Sequence, residues 1–286
     1  MIVIVGCLVV IGCVLGGFMM AGGHVEALIH PSEIVTIGGA ALGALIVMSP
    51  KKVLIDLMKA IVASLKGSPY KKKTYLELFT CMYELFRIAR INGMLALEPH
   101  LSHPHDSEVF HKYPTLAKNH HATEFICGLL TPVMDGSVTP EKLPHMAETE
   151  IKAIEEEHHA PLSVLTKTAD GLPGFGIVAA VLGIVVTMGH IDGPPAEIGH
   201  KVGAALVGTF LGILLSYGFF APLAVNIEFQ GHAEMTYFRT IASIVQSFAE
   251  SMPPKSCIEM ACRGLNREMR PTPAELEGVF KAVEQG

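Results

Sequence analysis

Charged side chains are absent from four long stretches of this sequence: Ile2–Ala21, Ile34–Met48, Pro173–Met188 and Val202–Val225. At 1.5 Å of rise per residue, a bilayer core of about 30 Å takes roughly 17–25 apolar residues. The four stretches therefore read as membrane-spanning helices, with Pro173–Met188 only just long enough and Ile34–Met48 short. Ion-moving chains usually place a titratable side chain inside their spans, and none lies well inside these. The polar groups that remain are Thr36, Thr187, Thr209, Ser216 and Tyr217, whose hydroxyls do not titrate usefully near neutral pH. Either the chain moves no ions or a partner helix brings the titratable group.

Other absences narrow the class further. None of the six cysteines forms a CxxC, so neither a zinc site nor a disulfide is expected. A formal net charge of −6 excludes a generally basic nucleic-acid binder. The first apolar stretch has no basic region before it and outruns a signal-peptide core, which makes it a retained helix. No nucleophile elbow, P-loop or dinucleotide glycine motif is present. Strand-period segments and internal repeats are missing from the polar parts. Fourteen histidines include the pairs His120-His121 and His158-His159 and the triplet His103-Pro104-His105, but neighbouring histidines on a helix point about 100° apart. His120 with Glu124 at i,i+4 is the best of these as a metal pair, and solvated surface histidines are the default.

What is present is apolar and small. Half of the 286 residues are hydrophobic and the mean hydropathy is +0.44. The stretch 171–227 reads as a helical hairpin with a short loop carrying Asp192, Pro194, Pro195 and Glu197. Ala204, Gly208, Gly212 and Ser216 recur every fourth residue on one face, and Gly176 and Gly183 share another, suiting close helix approach in lipid. That approach could serve packing within the chain or docking of a partner. Pro173 lies at one end of the third span, and Pro222, in the last two turns of the fourth, should free a carbonyl and kink its helix.

The loops 22–33 and 189–200 contain neither Lys nor Arg, whereas seven lysines run from Lys51 to Lys73. The positive-inside rule puts residues 51–170, residues 228–286 and both termini in the cytoplasm. Helical periodicity predicts helices over Lys51–Leu65 (as a continuation of the second span), Thr74–Ile91 (ending at Asn92-Gly93), Leu116–Leu130, Glu141–His159, Met235–Ala249, Lys255–Met269 and Ala274–Val283. The expected fold is an all-α integral membrane protein with four transmembrane helices. Its helical cytoplasmic domain is built from the loop between spans two and three and the C-terminal tail, giving segments 1–50, 51–170, 171–227 and 228–286.

Three segments, GLPGFGIVAAVLGIV at 171–185, GTFLGILLSYGFFAPLA at 208–224 and RINGMLALE at 90–98, closely resemble the MotA family of flagellar motor stator subunits. The resemblance covers the whole chain. The third and fourth spans also resemble the wider group containing the TolQ and ExbB energisers, which generally have three spans, and that group supplies the alternative function, proton-driven energising of envelope machinery.

The resemblance implies a subunit of the bacterial inner membrane, not an enzyme, that couples inward proton flow to torque. It implies a ring, a pentamer, around a MotB-like single-span subunit whose aspartate takes up the ion, and contact with the rotor protein FliG. No cofactor is implied. Pro173 and Pro222 match the family prolines that couple ion passage to movement, and Thr209 matches the threonine facing the partner aspartate. Ala180 falls where sodium-driven relatives carry a second threonine, which favours a proton over sodium. Tyr217 belongs to the same ion-path segment. Arg90 and Glu98 match rotor-facing charges, and Glu150 sits at another family charge position. Here Ile91-Asn92 and Pro99-His100 stand where many relatives carry further charges.

Overall fold

A computed structural model of the chain describes residues 2–285, and all regular structure among them is helical. In chain order the helices are α1 Ile2–Met20, α2 Pro31–Met48, α3 Lys51–Lys66 and α4 Lys72–Asn92. Short turns of helix follow as α5 Glu98–Ser102, α6 Glu108–His111 and α7 Pro114–Ala117, then α8 His120–Met134. The long α9 runs Leu143–Met188, followed by α10 Pro195–Leu215, a π-helical turn Ser216–Phe220, α11 Ala221–Ala249, α12 Pro254–Arg263 and α13 Pro273–Gln285. Among the described residues four helical stretches are long and apolar enough to cross a membrane: Ile2–Met20, Val25–Met48, Leu143–Met188 and Pro195–Ala249.

Three sequence expectations change. The second span does not continue into α3, because the chain turns extended at Ser49 (φ −123°, ψ 127°) and Pro50 starts a new helix. Proline disfavours helical geometry in the residue before it and has no N–H to donate. Conversely, α9 is one helix of 46 residues that carries Pro161 and Pro173 inside it, where the sequence suggested a helix ending at His159 and a separate span. The stretch expected as Leu116–Leu130 is split at Asn119, whose side chain accepts from the Ala122 N–H and caps α8.

The chain folds as two compact units. One comprises the chain up to Gly67 with Glu157–Gln230, the other Ser68–Glu156 with the chain from Gly231 onward. The second unit has the core of a water-soluble domain. Leu78, Phe79, Met82, Leu85 and Phe86 of α4 are fully buried, and Phe86 stacks on Phe248 at 3.9 Å. Phe125 meets Phe238 edge-on at 5.1 Å, and Tyr83 meets Phe280 at 4.8 Å. Each such side chain taken from water stabilises by about 1.5–3 kcal/mol. Helix α4 stops where Gly93 adopts φ +88°, a conformation that only glycine enters without strain.

Helix α13 is tied down by a reciprocal cap. Glu275 Oε2 accepts from the Thr272 N–H at 2.6 Å, while the Thr272 hydroxyl accepts from the Glu275 N–H at 3.3 Å. Lys72 closes on the same carboxylate at 2.7 Å. The Lys72 ammonium, followed by the Thr272 donors, holds the Glu275 carboxyl down from its usual 4.5 to about 2. A lowered carboxyl stabilises fully above its unfolded-state value and loses that contribution as pH falls toward its folded-state value. Thermal unfolding of the detergent-solubilised protein should therefore carry a pH dependence between about 4.5 and 2 that Glu275→Gln flattens. Parallel curves for the two proteins in that window would remove this cap from the acid response.

Candidate functional site

The first unit is organised by the antiparallel contact of α9 with α10, and small residues set it. A Cβ added to Gly212 would stand 2.7 Å from the Leu172 carbonyl oxygen and 2.9 Å from Gly176 Cα. One added to Gly176 would stand 2.9 Å from the Gly208 oxygen and 3.3 Å from Thr209 Cα. Higher up, the same atom on Gly183 would meet Ala205 Cβ at 2.8 Å. Gly176, Ala179 and Gly183 of one helix thus face Gly212, Gly208 and Ala205 of the other, backbone to backbone. The face read from sequence is displaced by one residue at its start, since Ala205 and not Ala204 makes the contact. This packing engages Gly208 and Gly212 of one small-residue stripe and Gly176 and Gly183 of the other. Large apolar side chains stay outward instead, among them Ile177, Val181, Ile184, Leu206 and Ile213.

The residues read as the ion path lie on this hairpin. Ala180 and Thr209 are half-buried, next in sequence to the facing pair Ala179 and Gly208. Tyr217 is 67% exposed, and Pro222 is exposed. Pro173 is an interior residue of α9, not its boundary.

The kink expected from Pro222 takes a specific form. The backbone widens into a π turn over Ser216–Phe220, and Ala221 N–H donates to the Ser216 carbonyl five residues back. Proline at 222 has no N–H, so the α-helical bond it would owe to the Gly218 carbonyl cannot form. Pi turns inside helices are frequent at functional positions. The Ser216 hydroxyl in this turn is 1% exposed and has no hydrogen-bond partner.

One acidic side chain that the sequence placed in a flanking loop belongs to the start of a span. Helix α2 begins at Pro31, so Glu33 is in its first turn rather than in a flanking loop. The buried residues of α2 are Glu33, Ile37 and Ala41, an i, i+4, i+8 face. Glu33 is 6% exposed, and its Oε2 would lie 2.6 Å from a Cβ placed on Gly208. Helix α2 thus brings a carboxyl against the hairpin at Gly208, the residue before Thr209. Proline's preference for the first helical position and the four-residue spacing to Ile37 were the available signals.

Arg90, Glu98 and Glu150 fall in the second unit, all exposed. Arg90 Nη2 donates to the carbonyls of Ser251 and Met252 at 2.7 and 3.0 Å, where the chain leaves α11 through Ser251 at φ +65°. This arginine thereby holds a turn as well as presenting charge. Glu98 opens α5, after the turn Met94–Leu97, and Glu150 lies on α9. The six cysteines are all free, and burial pushes the Cys257 thiol up to about 11 and those of Cys127 and Cys262 to about 12, far from a nucleophile's range. Among the described residues no three His, Cys, Asp or Glu side chains are grouped to hold a metal.

Comparisons with known proteins cover nearly the whole chain. A family model described as "Motility protein A N-terminal" matches residues 4–93, and one described as "MotA/TolQ/ExbB proton channel family" matches residues 117–240. The chain is 38% identical to "Motility protein A" of Salmonella typhimurium, over 99% of its own length and 96% of the relative's. It is 36% identical to "Chemotaxis protein LafT" of Vibrio parahaemolyticus over 95% of each. In fold it is similar to a solved Campylobacter jejuni MotAB structure (TM-score 0.77, 21% identity, 95% of this chain and 98% of that one). A Bacillus subtilis MotAB stator complex gives a TM-score of 0.73 at 24% identity, covering 90% of this chain and 92% of that one.

Proposed function

The chain belongs to the motility protein A family, and from that premise we propose that it is the multi-span subunit of a flagellar stator, converting inward proton flow into torque. The observation that carries this reading is similarity over nearly the full length to motility proteins, including the N-terminal segment 4–93. That segment also weighs against an envelope energiser of the TolQ or ExbB kind.

In this reading the chain lies in the bacterial inner membrane with both termini and the second unit in the cytoplasm, as its lysine distribution favours. Copies form a ring, a pentamer, around a MotB-like single-span subunit. The outward apolar faces of α9 and α10 supply surface for both neighbours and lipid. The partner's aspartate takes up the proton beside Thr209 and Ala180, where alanine in place of a second hydroxyl favours a proton over sodium. Protonation neutralises a charge held in an apolar wall and removes its desolvation cost, which lets the ring step. Pro173 and the π turn before Pro222 convert that step into bending, and the surface around Arg90, Glu98 and Glu150 pushes FliG on the rotor. Complementary charge across such a contact acts on recognition and encounter more than on affinity.

The test is expression of the chain with its MotB-like partner in a host lacking its own stator. Swimming should return, with speed that follows the protonophore-sensitive gradient and ignores added sodium. Changing the partner aspartate to Asn should abolish both swimming and proton uptake. Restored outer-membrane integrity without motility would overturn the reading in favour of an energiser.

A further inference from the structure

Glu33 is a buried titratable group to which the scheme above gives no task. Its side chain enters between α9 and α10 at Gly208, where the nearest atoms include Ala179 Cβ and the Ala180 backbone nitrogen. Gly208 lies thirteen residues past Pro195, about 20 Å along the helix, so the carboxyl sits at the level of the ion-path residues and not at the hairpin's tip. Its Oε2 is buried without a hydrogen-bond partner. Only a residue without a side chain at 208 leaves room for it.

The counter-charge that reaches Glu33 is the His30 side chain. On its own helix the nearest titratable group is His30, one turn earlier, whose ring bonds the Ala27 carbonyl at 3.1 Å. Facing it, α9 carries no charged residue over 171–188, and on α10 the nearest are His200 and Lys201, about two turns above Gly208. Lys201 is engaged by Glu197 at 3.2 Å. Helix α1 has no charged residue. An ionised carboxylate with an unmet oxygen among such groups is costly, and ionisable groups within spans mark ion pathways more often than not.

We propose that Glu33 is a second proton-binding site of the stator wall, neutral while packed against Gly208 and exchanging its proton with water when α2 moves off α10. The step is a proton transfer alone. The carboxyl O–H bond breaks as a water takes the proton, leaving a carboxylate and hydronium, and reversal reloads the site. Because Gly208 precedes Thr209, seating or withdrawing the carboxyl shifts the backbone that presents that hydroxyl, which links Glu33 to the partner's aspartate. The inference rests on the stator reading for its link to ion flow, but not for the existence of the site.

The experiment is infrared difference spectroscopy of the lipid-reconstituted complex across a pH step, on wild type, on Glu33→Gln and on the complex whose partner aspartate is Asn. A carboxyl C=O band free of hydrogen bonding is expected in wild type, retained when the partner aspartate is Asn and absent in Glu33→Gln. Loss of the band with the partner aspartate alone would overturn the site, and because that complex contains an unaltered wall, the result stands even where Glu33→Gln assembles poorly. Proton uptake and rotation speed are then followed against pH. Glu33→Gln should lower flux about tenfold, within the usual range of coupling between sites, and Glu33→Asp should fall between the two. Flux and speed of Glu33→Gln within about twofold of wild type at every pH would overturn the link. A wild-type complex that shows the band yet conducts nothing would instead leave Glu33 as a proton site and defeat the stator reading.

Discussion

Gly212→Val should abolish motility and proton uptake together by preventing the hairpin from closing. The atoms a side chain at 212 would meet are the Leu172 carbonyl at 2.7 Å and Gly176 Cα and N at 2.9 and 3.1 Å. All are backbone inside a long helix, so no rotamer change relieves the clash, and α9 and α10 must separate. Overpacking a core by a methylene or two costs about 1–3 kcal/mol where side chains can shift; here the separation is passed along to Ala179–Gly208 and Gly183–Ala205. Lipid offers no hydrophobic reward for holding the helices together at a distance. The measurement is recovery of the complex by co-purification with the partner, read beside swimming in a stator-deficient host. Gly231→Val is the control, since a Cβ there meets nothing within 4 Å. A Gly212→Val protein that co-purifies at wild-type yield and drives normal swimming would show that this approach does not hold the wall together.

The same contact shows how far the sequence carried. Uncharged stretches located all four spans, because lipid tolerates few alternatives to an apolar helix of that length. The period of small residues located the mutual face of α9 and α10, though not its register, which shape decides, and not whether the face is spent inside the chain. Helix ends governed by local chemistry, such as Asn92-Gly93, were legible. The continuity of α9 through Pro161 and Pro173 was not, because proline lowers helix stability by an amount that the helix's neighbours can offset. Leu165 and Leu172, between Pro161 and Pro173, are each 1% exposed, and their packing supplies that offset. Glu33 was placed in a loop because charge normally marks the end of a span. Its burial depends on Gly208, some 175 positions away in the chain, and no local pattern reports a vacancy provided by a distant glycine. Ala180 was singled out by resemblance alone, whereas Thr209 stood out as a hydroxyl within a span and Pro222 as a helix breaker, and only their roles came from the resemblance.

The second large effect is expected at Pro222. Replacing it with alanine supplies the N–H that position 222 lacks, and the helix can then bond the Gly218 carbonyl in ordinary α geometry. The π turn over Ser216–Phe220 holds one residue more than an α-helical path would, so its removal turns every following side chain by about 100°. Ala224 and the partly buried Leu223 and Ile227 pack against Leu57 and Leu165, and this cluster resists that rotation. The two tendencies are comparable, since an interior proline costs about 3 kcal/mol or more and misplacing a buried aliphatic side chain costs about 2–5 kcal/mol. Pro222→Ala should therefore leave the spans folded and the ring assembled but stiffen the element that bends when the wall is protonated. The expected result is normal co-purification with the partner and torque at least about tenfold lower, with proton uptake reduced less than torque; a barrier of 1.4 kcal/mol suffices for that factor. Torque is read from tethered cells, and uptake from cells carrying the complex without a rotor. Pro222→Gly separates the lost kink from the gained donor, because glycine restores the N–H yet keeps the backbone pliable. Torque retained by Gly but not by Ala would place the function in bending, whereas full torque in both would remove the π turn from the coupling step.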